Sequence, residues 1–181
     1  APLRAKDMKP KEQWFGGINV GYSKDNLSAS YRLDYLNEDI YTPGKYNSNN
    51  NTALDADYIT NRYTHQAQID WRPTADWNWS TSVSFQDYKR RTETYLLDLA
   101  GGTKTPSLNE GEWDISTFRT LFGRSLATWR INNRLSWQPG IEYKRDATTG
   151  QRIEGNPVIS DYAFFNSLEY QPTKKWLIRP G

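Results

Sequence analysis

The chain has 181 residues, a formal net charge of +2 and no cysteine. The missing cysteine excludes a disulfide scaffold, a thiolate metal site and a cysteine nucleophile. The near-even charge lacks the basic excess of a nucleic-acid binder. No run of about 18 apolar residues occurs, so no helix is expected to cross a membrane. A mean hydropathy of −0.90 still leaves a β-barrel open, because a barrel places only alternate residues in lipid. The 8 Trp and 12 Tyr suit positions where one end of a ring is apolar and the other wet.

Residues 1–12 carry two prolines and no periodicity, and are expected to form an irregular opening segment. Alternation begins at Trp14. Trp14, Ile18, Val20 and Tyr22 point one way, with Gly17, Asn19, Gly21 and Ser23 opposite. Successive strand side chains face opposite sides, so this reads as a strand with one apolar face. After a short turn at residues 24–26, Leu27, Ala29, Tyr31, Leu33 and Tyr35 oppose Ser28, Ser30, Arg32 and Asp34. A long polar loop is expected over residues 37–57. The third strand sets Tyr63, His65, Ala67, Ile69 and Trp71 against Thr64, Gln66, Gln68, Asp70 and Arg72. Residues 73–76 turn the chain. The fourth strand sets Trp77, Trp79, Thr81, Val83 and Phe85 against Asn78, Ser80, Ser82, Ser84 and Gln86. So small and polar a back face fits water, not a sandwich core.

A second long loop is expected over residues 89–116. The fifth strand, Leu121 to Trp129, breaks the pattern at Phe122 and Leu126. The sixth alternates from Leu135 to Tyr143, and a third polar loop covers 145–158. Tyr162, Phe164, Leu168 and Tyr170 form the apolar face of the seventh. An eighth begins at Trp176, after a turn at 172–175.

Two regularities bind these strands. Connections alternate short and long, as in transmembrane barrels with tight turns at one end and long loops at the other. Trp71 to Trp77, Trp129 to Leu135 and Tyr170 to Trp176 are each six apart, which would build an aromatic girdle. The first turn fits that spacing less well. The expected interface aromatics are Trp14, Tyr22, Trp71, Trp77, Trp129, Tyr170 and Trp176. Trp14 and Tyr22 are separated by eight residues, roughly 19 Å of membrane normal at about 45° tilt.

His65 is the only histidine, and a lone histidine on an apolar face reads as structural. Lys89-Arg90-Arg91 suits an anionic ligand, a lipid headgroup or plain solvation. Asp55, Asp57, Glu110, Glu112 and Asp114 match no compact cation site and read as solvated loop. No phosphate loop, paired-histidine motif or nucleophile elbow occurs. No catalytic residue, metal or cofactor is therefore expected.

The runs Tyr162-Ala163-x-Phe165, Glu169-Tyr170-x-Pro172 and Trp176-x-x-Arg179-Pro180-Gly181 resemble the barrel wall of TonB-dependent outer-membrane receptors. So do Trp137 to Tyr143 and Tyr31 to Tyr35. The resemblance spans residues 13–181. It implies a 22-stranded barrel with an internal plug; with about eight strands counted along the residues, the chain is expected to be an all-β, antiparallel up-and-down meander, part of such a large transmembrane β-barrel in a Gram-negative outer membrane. It implies a non-catalytic transport receptor for a scarce solute: a siderophore, haem, cobalamin or oligosaccharide. The implied partners are outer-membrane lipid and lipopolysaccharide, the remainder of the barrel and its plug, and the TonB energy-coupling complex. No plug domain precedes these strands, so a fragment of a larger wall is expected. Ligand contacts are expected from Tyr46, Lys89, Arg90, Arg91, Tyr95 and Trp113 in outer loops. Arg32, Asp34, Asp70, Arg72, Glu142 and Glu169 are expected to face the lumen. The competing reading is a soluble β-rich carbohydrate-binding or adhesion module.

Overall fold

The computed structural model describes residues 9–107, 109 and 111–180. Those residues form one antiparallel sheet. Its strands are β1 (Lys11–Lys24), β2 (Leu27–Thr42), β3 (Tyr46–Asn47), β4 (Thr52–Thr74), β5 (Trp77–Asp98), β6 (Lys104–Pro106), β7 (Trp113–Asn132), β8 (Leu135–Thr149), β9 (Val158–Thr173) and β10 (Trp176–Ile178). The path runs β1-β2-β4-β5-β7-β8-β9-β10, with β3 beside β4 and β6 beside β5. Every connection along the path is a neighbour connection, and β1 does not pair with β10. Among the described residues the two outer strands therefore present unpaired edges, each a template on which a further strand could pair.

Two expectations need correction. β1 starts at Lys11, inside the segment expected to be irregular; residues 1–8 lie outside the described residues. The long loops are much shorter than the polarity of the sequence implied. Residues 37–42, 52–57, 89–98, 113–116 and 145–149 are strand, leaving 43–51, 99–112 and 150–157 as connections, the first two holding the short strands β3 and β6. Away from the apolar band both faces of a strand meet polar surroundings, so period-two contrast vanishes although the ladder continues.

The turns explain the six-residue rhythm. Each of the four short hairpins, β1/β2, β4/β5, β7/β8 and β9/β10, leaves two residues between its strands. Register slips at β4/β5 between Trp71 and Thr74, at β7/β8 between Arg130 and Asn132, and at β10/β9 between Trp176 and Ile178. A bulge adds one residue, turning a five-residue aromatic-to-apolar interval into six. The first hairpin pairs Lys24 with Leu27 without a slip, so Tyr22 and Leu27 are only five apart. Pro73 and Pro172 fall at bulges, where a missing amide costs no ladder bond. The amides of Arg72, Arg130 and Gln171 each donate to a carbonyl of the neighbouring turn, on Asn26, Asp76 and Arg134, at 2.7 Å.

One face of the sheet carries Ile18, Val20, Ile69, Val83, Phe85, Ile141, Tyr162 and Phe164, all exposed, Phe164 by 84%. Leu36 and Ala53 are the buried hydrophobics among the described residues. Accessible surface is 13120 Å², against roughly 9,000 Å² for a compact globule of 21.1 kDa. The sheet therefore has no closed hydrophobic centre; its apolar side chains look outward.

Polar groups within that outward band are paired. Tyr31 Oη lies 2.7 Å from His65 Nδ1. Trp79 Nε1 donates to Ser125 Oγ at 2.7 Å, and Thr81 Oγ1 meets the same oxygen at 2.8 Å. Trp137 Nε1 donates to Asn166 Oδ1. Satisfying side-chain polarity within the face is what hydrocarbon requires, since it offers no water as a substitute.

The opposite face carries Ser80, Ser82, Ser84, Gln66 and Gln68. A depression of about 390 Å³ there is lined by residues from β1 (Asn19) to β7 (Phe122), with Arg32 and Ser82 between. Contact across five path strands requires a sheet curled towards this side. The expected lumen residues lie here: Arg32 bonds Asp34 at 2.7 Å, Gln68 donates to Asp70 at 2.8 Å, and Arg179 pairs with Glu169 at 2.8 Å. Phe122 and Leu126 share this inner face. Gly140 faces Phe165 across β8 and β9, and a side chain on Gly140 would strike the phenyl ring.

Both edges of the apolar band can be followed through the register. At the loop end the last apolar residue is Trp14, Tyr35, Tyr63, Phe85, Leu121, Tyr143 and Tyr162 on successive path strands. At the turn end it is Tyr22, Leu27, Trp71, Trp77, Trp129, Leu135 and Tyr170. Measured along the ladder, each edge drops by two residues at β1/β2, β4/β5 and β7/β8, and stays level elsewhere. The drop averages about one residue per strand. A shift of about 3.3 Å per spacing of about 4.8 Å corresponds to a tilt of roughly 35°, within the range of barrel strands. At that tilt eight residues rise about 22 Å, close to the apolar height of about 25 Å in such barrels. This replaces the 19 Å expected from a steeper tilt.

Val83→Arg, on the outward face at mid-band, is expected to cost about 2–4 kcal/mol in a lipid-refolding titration. Ser82→Arg, one residue away on the wet face, should cost far less. Equal costs would contradict the face assignment.

Candidate ligand site at the loop end of the inner face

Beyond the apolar band, β4, β5 and β7 continue as a paired ribbon towards the long connections. Strand geometry sends Tyr58, Tyr88, Arg90, Thr92, Asp114, Ser116 and Phe118 to the inner face. With Lys9, Ile40 and Arg152 they line a depression of about 480 Å³. The Arg90 guanidinium lies over the Tyr58 ring, 4.5 Å from its centroid. Tyr88 and Phe118 meet edge-on at 5.7 Å. Arg90 Nε is buried and has no hydrogen-bond partner among the described residues. A buried, unsatisfied donor of a permanently charged guanidinium, stacked on the Tyr58 ring in a depression that Lys9 and Arg152 also line, suits an anionic group with planar apolar parts.

Carboxylates fix the connections around this depression. Asp114 is buried; its Oδ2 accepts from Ser116 Oγ at 2.6 Å and its Oδ1 from the Gln151 amide at 2.8 Å. Arg152 then donates to the Gly111 carbonyl at 2.6 Å. The Ser116 hydrogen bond, with help from the Gln151 and Ile115 amides and Arg152, holds the Asp114 carboxyl below its ordinary pKa against the opposing effect of burial. Asp55, also buried, accepts from Tyr41 Oη at 2.5 Å and the Gly44 amide at 2.9 Å. Gly44 lies so close to the Leu54 carbonyl that no larger residue fits. Asp55 and Asp114 are thus loop anchors and not the solvated loop acids expected; Glu110 lies outside the described residues.

The six expected ligand residues do not form one cluster, and all sit on strands instead of loops. Alternation divides the basic triplet: Arg90 faces inward, while Lys89 and Arg91 face outward and are exposed. Arg91 pairs with Glu93 at 2.7 Å. Tyr95 and Trp113 are outward neighbours at 5.2 Å. Tyr95 Oη donates to Glu93, and this hydrogen bond, then burial and nearby acids, push its pKa up to about 12. Tyr46 belongs to β3 and donates to Asn51. Sequence reading missed Tyr58, Tyr88, Phe118 and Arg152. The signal available was the two-residue spacing of Tyr88 and Arg90 and of Asp114, Ser116 and Phe118.

The fold is that of a stretch of TonB-dependent receptor barrel wall. The chain superposes on the ferric yersiniabactin uptake receptor FyuA from Yersinia pestis with a TM-score of 0.58 at 14% identity, covering 97% of this chain. For the copper transporter OprC the values are 0.60, 12% and 92%. For BauA, the ferric preacinetobactin receptor from Acinetobacter baumannii, they are 0.53, 13% and 90%. The chain spans 28 to 29% of the length of these structures. No protein-family model matches it, and no curated protein does.

Because the folded Asp114 carboxyl is held below its ordinary value of 3.8, its anchoring is fully present above about pH 4 and is lost as pH falls through the depressed value. Amide hydrogen exchange at Gln151 should accelerate over that interval, beyond the intrinsic pH trend. Asp114→Asn should show faster exchange already at neutral pH.

Proposed function

We propose that the chain is part of the barrel wall of a TonB-dependent receptor in a Gram-negative outer membrane. It is non-catalytic and serves uptake of a scarce solute such as a siderophore, haem, cobalamin or oligosaccharide. The observation that supports this most is the outward band itself: exposed, apolar, with its polar groups paired, and bounded by two edges descending at one rate. A soluble module has no reason to keep two such edges parallel.

In this reading residues 13–181 are a barrel segment whose free edges at β1 and β10 continue into the rest of the wall. The polar inner face meets a plug, and energy for uptake comes through the TonB complex. The depression around Arg90 lies at the loop end, where an arriving solute is first met. Its cations and rings favour an anionic, partly aromatic solute. Tyr46, Lys89, Arg91, Tyr95 and Trp113 are then peripheral to it.

The full-length parent protein is expected to require detergent after extraction and to migrate faster on unheated than on heated gels, as intact barrels do. A parent that stays in the aqueous fraction and shows no heat-dependent mobility would contradict this function.

A further inference from the structure

Gly123 stands in the middle of β7, paired with Val83 on one side and Tyr143 on the other. Neither a bulge nor a left-handed φ occurs there, so its own backbone gives no reason for glycine. A side chain added at Gly123 would point outward and meet nothing within 4 Å. Gly140 is the contrast, because the Phe165 ring fills the space above it. Glycine weakens a strand interior, and one without an internal reason marks a place where something outside approaches the backbone closely. The next outward positions on β7 are Ser125 and Ala127, so the wall stays low beside the glycine.

Two strands away the same face is raised. Phe164 on β9 is 84% exposed, more than any other large apolar residue among those described. A further strand beside β9 would flank Phe164 without covering it, since strand side chains stand perpendicular to the sheet. Hollow and ridge lie at one depth. On β7, β8 and β9 the loop-end edge residues are Leu121, Tyr143 and Tyr162, and the turn-end edge residues are Trp129, Leu135 and Tyr170. Counted from either edge, Gly123, Ile141 and Phe164 share a level. Ser125, Pro139 and Asn166 share the next, and Ala127, Trp137 and Leu168 the one after. At two of these levels a small residue on β7 matches a large one on β9; at the third, Ser125 and Asn166 are both polar.

We infer that this face is an interface between two copies of the chain, related by a two-fold axis along the membrane normal through β8. This rests on the lipid-facing reading of the outward band. Two copies inserted in the same sense share only a two-fold along that normal, which preserves depth while exchanging left and right. Such an axis carries Phe164 of each copy into the hollow at Gly123 of the other, because β7 and β9 each lie about 5 Å from β8. Ile141 lies on the axis and meets its own counterpart, as an isologous contact requires. Within lipid the hydrophobic effect does not draw surfaces together, so close packing and hydrogen bonds across the interface carry association. A ridge seated in a hollow supplies the packing, and Ser125 facing Asn166 at one depth supplies the polar contact.

The test uses the full-length parent. Ile141→Cys should give an inter-chain disulfide when bilayers containing the protein are oxidised, above the level of the unsubstituted parent. Its yield should exceed by about tenfold that of Val83→Cys, which lies at the same depth two strands from β8. Phe164→Ala and Gly123→Leu should each raise the dimer dissociation constant in detergent about tenfold or more, read from masses across a dilution series. Ile69→Ala, equally outward but on β4, should leave it unchanged. Heat-dependent gel mobility checks the folding of each variant, and the disulfide result decides alone if one does not fold. Equal disulfide yield at positions 141 and 83 would overturn the interface. So would a parent that is monomeric in bilayers, its hollow filled by acyl chains. Either result leaves the membrane reading standing. A parent that needs no detergent at all would sink that reading first and this inference with it.

Discussion

A polar side chain facing hydrocarbon has no water to bind. The outward band obeys that constraint with little slack. Its polar members, Tyr31, His65, Thr81, Ser125 and Asn166, are tied to one another or to the indoles of Trp79 and Trp137. The inner face is under no such constraint. Ser80, Ser82, Ser84 and Gln66 stand in a row there, as they can only where water or another polar surface reaches them. The fold follows from this division, because two chemically different sides on every strand allow a sheet of one layer with no closed core.

Tilt ties the division to geometry. A wall whose strands stood upright would carry its aromatic edges straight across the ladder. Here both edges drop together, because each tilted strand meets the interface about one residue further along than its neighbour. The bulges at the turn ends fit the same scheme. They add the residue that separates the six-residue intervals from the five-residue interval of the first hairpin, and they place Pro73 and Pro172 where no ladder amide is needed.

Much of this was legible in the sequence. Face assignment was readable wherever one face is apolar, and even Phe122 and Leu126 sit on the inner face where the broken alternation put them. Strand length was not readable. Beyond the band both faces of β4 and β5 are polar or mixed, so Thr52 to Asp57 and Lys89 to Asp98 look like loop although they are fully paired. The anchors were hidden for a different reason. Asp114 meets Gln151, and Asp55 meets Tyr41 and Gly44, through contacts distant in sequence, and an acid in a polar stretch gives no sign that it is buried. The triplet at 89–91 looked like one basic patch. Strand geometry divides it into an inward guanidinium with aromatic neighbours and two outward cations beside the interface.

The central claim is that successive side chains alternate between lipid and water along one tilted wall. The chain has no cysteine, so single cysteines can be introduced at positions 80 to 85, spin-labelled, and scanned for collision with oxygen and with a water-soluble nickel chelate in bilayers. Labels at 81, 83 and 85 should favour oxygen, and labels at 80, 82 and 84 should favour the chelate, in a two-residue alternation. A profile without that alternation, or with positions 80, 82 and 84 the more oxygen-accessible set, would contradict the account.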